Sequence, residues 1–191
     1  MISCWAERIA MYVTKNMNYK DSDVLWLGYA LEVIISSLIS VGIIAIGACV
    51  FQKLIYAILY LLLLVPFRKY SGGYHANTHL NCIILTSGLF YLALFFTELI
   101  NQIPVYMIIA EYILGGLIIL KLCPVSSPNK IVDENDKPKY KRISFVILTF
   151  ESLLCLAFSH LNATISRFCF IIILFVLLAA FAGTLIPLSD G

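Results

Sequence analysis

Charge is what this chain has least of. Only 13% of its 191 residues are Asp, Glu, Lys or Arg, whereas 61% are hydrophobic. A soluble domain with a single core cannot bury that much apolar surface, so the solvent of this chain is lipid. Other scarcities narrow the chemistry. The six cysteines include no CxxC pair, which argues against a disulfide framework and leaves free thiols. A net charge of +2 provides no electrostatic footprint for nucleic acid. The first residues lack the uninterrupted apolar core of a cleavable signal peptide. Trp5, Ile9, Met11, Tyr12 and Val13 alternate there with Glu7, Arg8 and Lys15, so residues 1–20 read as an amphipathic interfacial helix. No internal repeat is visible.

What is present is apolar length. Six segments stand out: Val24–Val50, Leu54–Phe67, Leu80–Ile100, Val105–Leu122, Ile143–Leu161 and Phe168–Leu188. Most approach the roughly 20 residues that carry a helix across a bilayer. The expected fold is therefore an all-α integral membrane protein of about six transmembrane helices, a single domain over residues 1–191. The second segment is short, about 14 residues or about 21 Å against a hydrocarbon core of about 30 Å. Adding Cys49–Gln52, snorkelling Lys53 or thinning the bilayer would complete the span, and a re-entrant hairpin is the alternative.

The cations orient the chain. With six spans and cytosolic termini, eleven fall inside: Arg8, Lys15, Lys20, Arg68, Lys69, Lys121, Lys130, Lys137, Lys139, Lys141 and Arg142. Only Lys53 and Arg167 fall outside, as the positive-inside rule requires. The connector Cys123–Arg142, with three prolines and mixed charge, reads as a solvated cytosolic loop. Four carboxyls lie within predicted spans. Glu98, beside Asn101 and Gln102, reads as interfacial; Glu32, Glu111 and Glu151 lie deeper, where such groups mark function or hold helices together. Tyr56, Tyr60, Tyr70 and Tyr74 read as interfacial anchors or as the lining of a peptide groove.

The chemically dense stretch is RKYSGGYHANTHLNC, residues 68–82, where a basic loop enters the third span. Cys82 is expected about one turn inside a helix capped by Asn77 or Thr78, where helix N–H groups and the cations Arg68 and Lys69 favour a thiolate. His75 is the candidate base. On a continuous helix, seven residues would separate the two by about 10.5 Å, so His75 must precede the helix and fold back, a turn that Gly72 and Gly73 permit. Two other readings stay open. His75 and His79 have HxxxH metal spacing with Cys82 one turn on, but Ala76 stands where a zinc protease carries its Glu. Alternatively the stretch is a polar loop of a peptide transporter or membrane scaffold, with the glutamates as the pathway.

Arg68, then Gly72-Gly73-Tyr74-His75-Ala76, then Cys82 seven residues after the histidine, resembles the accessory gene regulator B (AgrB) family. Length, apolar pattern and the later loop PVSSPNK extend the resemblance over most of the chain. It implies a membrane cysteine endopeptidase of Gram-positive quorum sensing, acting at the inner membrane face on an AgrD-like precursor peptide. By the same resemblance Cys82 is the nucleophile, His75 the general base, and Arg68 and Gly73 support the site, with no metal or cofactor. Glu32 falls where the family often carries a polar side chain and could orient His75 as third member of a triad. The resemblance assigns no role to His79. The many apolar faces that need partners point towards a homodimer.

Overall fold

The computed structural model describes residues 8–9, 11–12, 21–72, 78–125 and 133–185, with backbone alone at 21–26 and 185. Among these residues run six long helices: α1 (Asp21–Val50), α2 (Leu54–Ser71), α3 (His79–Leu99), α4 (Val105–Leu122), α5 (Lys137–Leu161) and α6 (Ala163–Leu185). No strand occurs among the described residues. All six helices are long and apolar enough to cross a bilayer, which makes this an all-helical, multi-pass membrane protein. Arg8, Ile9, Met11 and Tyr12 are helical and exposed; the remainder of the predicted interfacial helix lies outside the described residues.

The three largest differences from the apolar pattern each have a local reason. The second span gains its length at its C-terminus, not through Cys49–Gln52. Phe51 N–H closes the last turn of α1 on Gly47 O, and the chain then turns at Gln52 with φ at +56°. α2 instead runs on through Arg68, Lys69 and Tyr70 to Ser71, so its 18 residues rise about 27 Å. Cations suit a helix C-terminus, and their long stems reach water from the membrane edge. α5 starts at Lys137, six residues before the apolar run, because Pro138 is tolerated in a first turn and Lys141 Nζ donates to Leu120 O at 2.5 Å. The predicted loop therefore ends in helix. α6 starts at Ala163, where Asn162 Oδ1 accepts the N–H groups of Thr164 and Ile165, both at 3.1 Å.

The chain divides into two compact units, residues 1–51 with 76–88 and residues 52–75 with 89–191. In the first, the buried positions of α1 recur every four residues at Gly28, Ser36, Ser40, Ile44 and Ala48, with half-buried Glu32 in the same row. The buried hydroxyls are satisfied within the helix: Ser36 donates to Val33 O and Ser40 to Ser36 O, each at 3.0 Å. Ile34, Leu38 and Ile46 are exposed, the surface expected of a helix that meets lipid.

In the second unit α2, α4, α5 and α6 pack together. Tyr60, Phe90 and Phe168 are fully buried, so Tyr60 is a core residue and not the interfacial anchor its position suggested. The rings of Tyr60 and Phe90 meet edge to face at 5.4 Å. Gly115 lets α4 approach closely: a Cβ there would stand 2.9 Å from Leu177 and 3.0 Å from Leu148. Lys53 Nζ pairs with Glu98 at 2.9 Å, both partly exposed, which holds the Lys53 amine above its usual range. Arg167 donates to the carbonyls of Ile100 and Asn101.

Gly72 closes α2 with φ at +71° and forms a backbone bridge with Val125, whose N–H donates to Ser71 O at 2.9 Å. A Cβ at Gly72 would lie 2.2 Å from Val125 O. Gly72→Ala is therefore expected to cost at least about 1–2 kcal/mol from the backbone conformation alone, before the clash is counted. Thermal unfolding of the detergent-solubilised protein measures this; an unchanged midpoint would contradict the contact.

Candidate active site

The site is built on the first turn of α3. Thr78 caps it: Asn81 N–H donates to Thr78 Oγ1 at 3.2 Å, and Cys82 N–H donates to Thr78 O at 3.1 Å. Cys82 is thus the fourth residue of the helix, one turn inside it, half-buried and free of any disulfide. Of the two caps the sequence allowed, Thr78 makes the bond; Asn77 lies outside the described residues.

Three residues before Cys82, and so on the same helical face, His79 meets Glu32 of α1. His79 Nε2 and Glu32 Oε2 are 2.7 Å apart, within one compact unit. The geometry fits a ring N–H donating to a carboxylate. Tyr29, one turn before Glu32, places its ring 6.4 Å from the His79 ring at an angle of 51°. The described part of the site thus joins two helices: Tyr29 and Glu32 of α1 meet His79 of α3, three residues before Cys82.

The remaining expected residues are placed as follows. Arg68 lies half-buried in the last turn of α2, in the other unit. His75 and Gly73 lie outside the described residues. Among the described residues, no three His, Cys, Asp or Glu side chains gather to hold a metal ion. Sequence reasoning missed the contacts that His79 makes with Glu32 and Tyr29. The signal for His79 was its three-residue spacing from Cys82 together with an unassigned carboxyl in α1.

The accessory gene regulator B family matches residues 6–183. The chain belongs to this family. Two AgrB-like proteins of Clostridium perfringens, from strain SM101 / Type A and strain 13 / Type A, are each 30% identical to it over 156 residues. The matched region covers 78% of this chain and 73% of either relative. No solved structure matches. Glu32, Arg68, His75, His79 and Cys82 all fall within the span matched by the accessory gene regulator B family.

Three of the other described thiols are less accessible than Cys82, whereas Cys49, near the end of α1, is exposed. Cys123, Cys155 and Cys169 are buried. Cys123, just past the end of α4, is pushed up to about 11 by burial, with Lys141 partly offsetting it. A small water-soluble alkylating reagent at neutral pH should therefore modify Cys82 well before these three, and denaturation should erase the difference. Peptide mapping by mass spectrometry reads the order; faster labelling of Cys123 than of Cys82 would contradict it.

Proposed function

We propose that this protein is a membrane cysteine endopeptidase that removes the C-terminal tail of an AgrD-like precursor and promotes closure of a thiolactone or lactone ring. Membership of the accessory gene regulator B family points to a role in processing an autoinducing peptide. The observation that carries the finer reading is the position of Cys82. It is a half-buried free thiol on a capped first turn, beside a bonded carboxyl–imidazole pair.

In the first stage the Cys82 thiolate attacks a backbone carbonyl carbon of the bound precursor. The C–N bond breaks, the tail leaves as an amine that takes its proton from His75, and a thioester joins the N-terminal fragment to Cys82. In the second stage a cysteine or serine within that fragment, deprotonated by His75, attacks the thioester. The C–S bond breaks, the ring closes, and Cys82 is released as a thiolate. Exchange between thioesters is nearly balanced in energy, whereas hydrolysis is strongly downhill. Ring closure therefore depends on keeping water out and on holding the incoming nucleophile in place, which can raise its effective concentration to about 10⁵ M or more. Arg68, or the first N–H groups of α3, is the candidate donor to the oxyanion, and Gly73 supports the site.

The protein acts as one integral-membrane domain in the cell membrane of a Gram-positive bacterium. Its site faces the cytosol, in line with the division of cations along the sequence. A homodimer is the expected assembly.

Cys82→Ala should abolish precursor cleavage, and His75→Ala should slow it by about 10²–10⁴-fold, with membrane insertion of both variants unchanged. Cleavage by membranes carrying each variant, resolved by mass spectrometry, provides the test. A peptide transporter or scaffold is the rival. Both carboxyl oxygens of Glu111 and Oε1 of Glu151 are buried without a hydrogen-bond partner among the described residues, an arrangement that a conducting pathway would use. That rival requires Glu111→Gln to stop peptide movement and Cys82→Ala to be silent.

A further inference from the structure

In the second unit an apolar groove runs between α4 and α6, and none of the candidate active-site residues lines it. Its volume is about 470 Å³, within the range of ligand cavities. Leu177, which packs on Gly115, and Glu111 are almost fully buried and form the floor. Leu114, Leu117 and Leu178 are exposed and form the walls. These walls belong to the surface that a multi-pass helical protein turns to the bilayer, so the groove fills from the lipid. Along α4 it extends from Glu111 to Lys121, a rise of about 15 Å.

One end of the groove is charged. Lys121, in the last turn of α4, lines it and is exposed. Lys141 of α5 reaches the same turn, where its Nζ donates to Leu120 O at 2.5 Å. That bond occupies one of the ammonium's donors and caps a carbonyl at the negative end of the helix, which leaves positive charge in excess there. Of the acids before α5, Glu134 is paired with Lys137 at 2.5 Å, and Asp133 and Asp136 precede Lys141 by more than one helical turn. Cations at one end and apolar side chains along the rest match a molecule with an anionic head and an extended hydrocarbon chain. A helix of a peptide or of a second copy, about 10–12 Å across with its side chains, is too wide for a slot whose volume over its length gives a cross-section of about 30 Å².

We propose that the groove between α4 and α6 binds an anionic phospholipid, with one acyl chain along Leu114, Leu117, Leu177 and Leu178 and the phosphate held by Lys121 and Lys141. Basic pockets between membrane helices attract anionic headgroups, and the chain adds many small dispersion contacts along the groove. A zwitterionic lipid brings its own ammonium to the same two cations and binds less tightly. The site stands whether or not the chain is a peptidase.

The full chain in neutral detergent is titrated with phosphatidylglycerol or with phosphatidylcholine of the same acyl chains, and native mass spectrometry reads the lipid retained. Wild type should hold phosphatidylglycerol at least about fivefold more tightly than phosphatidylcholine. Lys121→Gln and Lys141→Gln should each weaken that retention about fivefold, whereas the charge-matched Lys139→Gln should alter it less than about twofold. Leu178→Trp, which fills the groove, should weaken it about tenfold, and Ile46→Trp on the exposed face of α1 should leave it unchanged. Should the groove variant fail to fold, wild type itself gives the answer. Phosphatidylglycerol carrying a diazirine on its acyl chain, irradiated with the protein in phosphatidylcholine vesicles, should label Leu114, Leu117 or Leu178 ahead of other lipid-facing residues. Equal retention of the two lipids, equal loss in Lys121→Gln and Lys139→Gln, or labelling spread evenly over the exposed faces of all six helices would overturn the proposal. So would a folded Leu178→Trp protein that keeps its lipid; if that variant also passes from dimer to monomer, the face belongs to a second copy instead.

Discussion

The bond between Glu32 and His79 is the constraint on which the described part of the site depends. A carboxyl on the buried row of α1 has few ways to be stable near lipid: leave the membrane, take a proton, or find a donor. It finds a donor on α3, in the same compact unit. α1 otherwise presents a face of Gly, Ser and Ala, with hydroxyls that satisfy themselves within their own helix. Such a face packs closely but gives little directional hold. The Glu32–His79 bond supplies direction, at the turn where the capped start of α3 places the thiol.

The second unit follows a different logic. Its helices interlock through aromatic rings and through the close approach at Gly115, and two of its polar contacts lie towards helix ends: Lys53 with Glu98, and Arg167 with the carbonyls of Ile100 and Asn101. Buried between helices, Ser166 Oγ donates to Cys155 O at 2.9 Å and joins α5 to α6. Among the described residues, Glu111 makes none of the helix-to-helix hydrogen bonds expected of an intramembrane carboxyl. Membrane helices associate through packing and a few polar contacts, and this unit relies mainly on the former.

Much of the architecture was legible because the bilayer imposes a length on every span and turns hydrocarbon content into topology. The six helices all coincide with apolar runs. The errors lie where apolarity stops being the deciding force. Arg68 to Ser71 continue α2 because cations belong at a helix end, and Asn162 starts α6 early because its side chain caps the backbone. Tyr60 was misread because position relative to the membrane edge says nothing about which way a ring turns. At the site, the placement of Cys82 one turn inside a capped helix followed from Thr78 and the onset of the apolar run. The contact of His79 did not, since its partner lies 47 residues away on another helix and only packing brings them together.

The central claim is that Cys82 carries the acyl group between cleavage and ring closure. The direct measurement is the intact mass of the protein, quenched in acid during turnover of a precursor whose internal nucleophile is replaced by alanine so that the ring cannot close. The account predicts a mass gain equal to the N-terminal fragment, located on Cys82 and released by hydroxylamine. Continued release of the tail with no adduct on Cys82, or with the adduct on another residue, would contradict it.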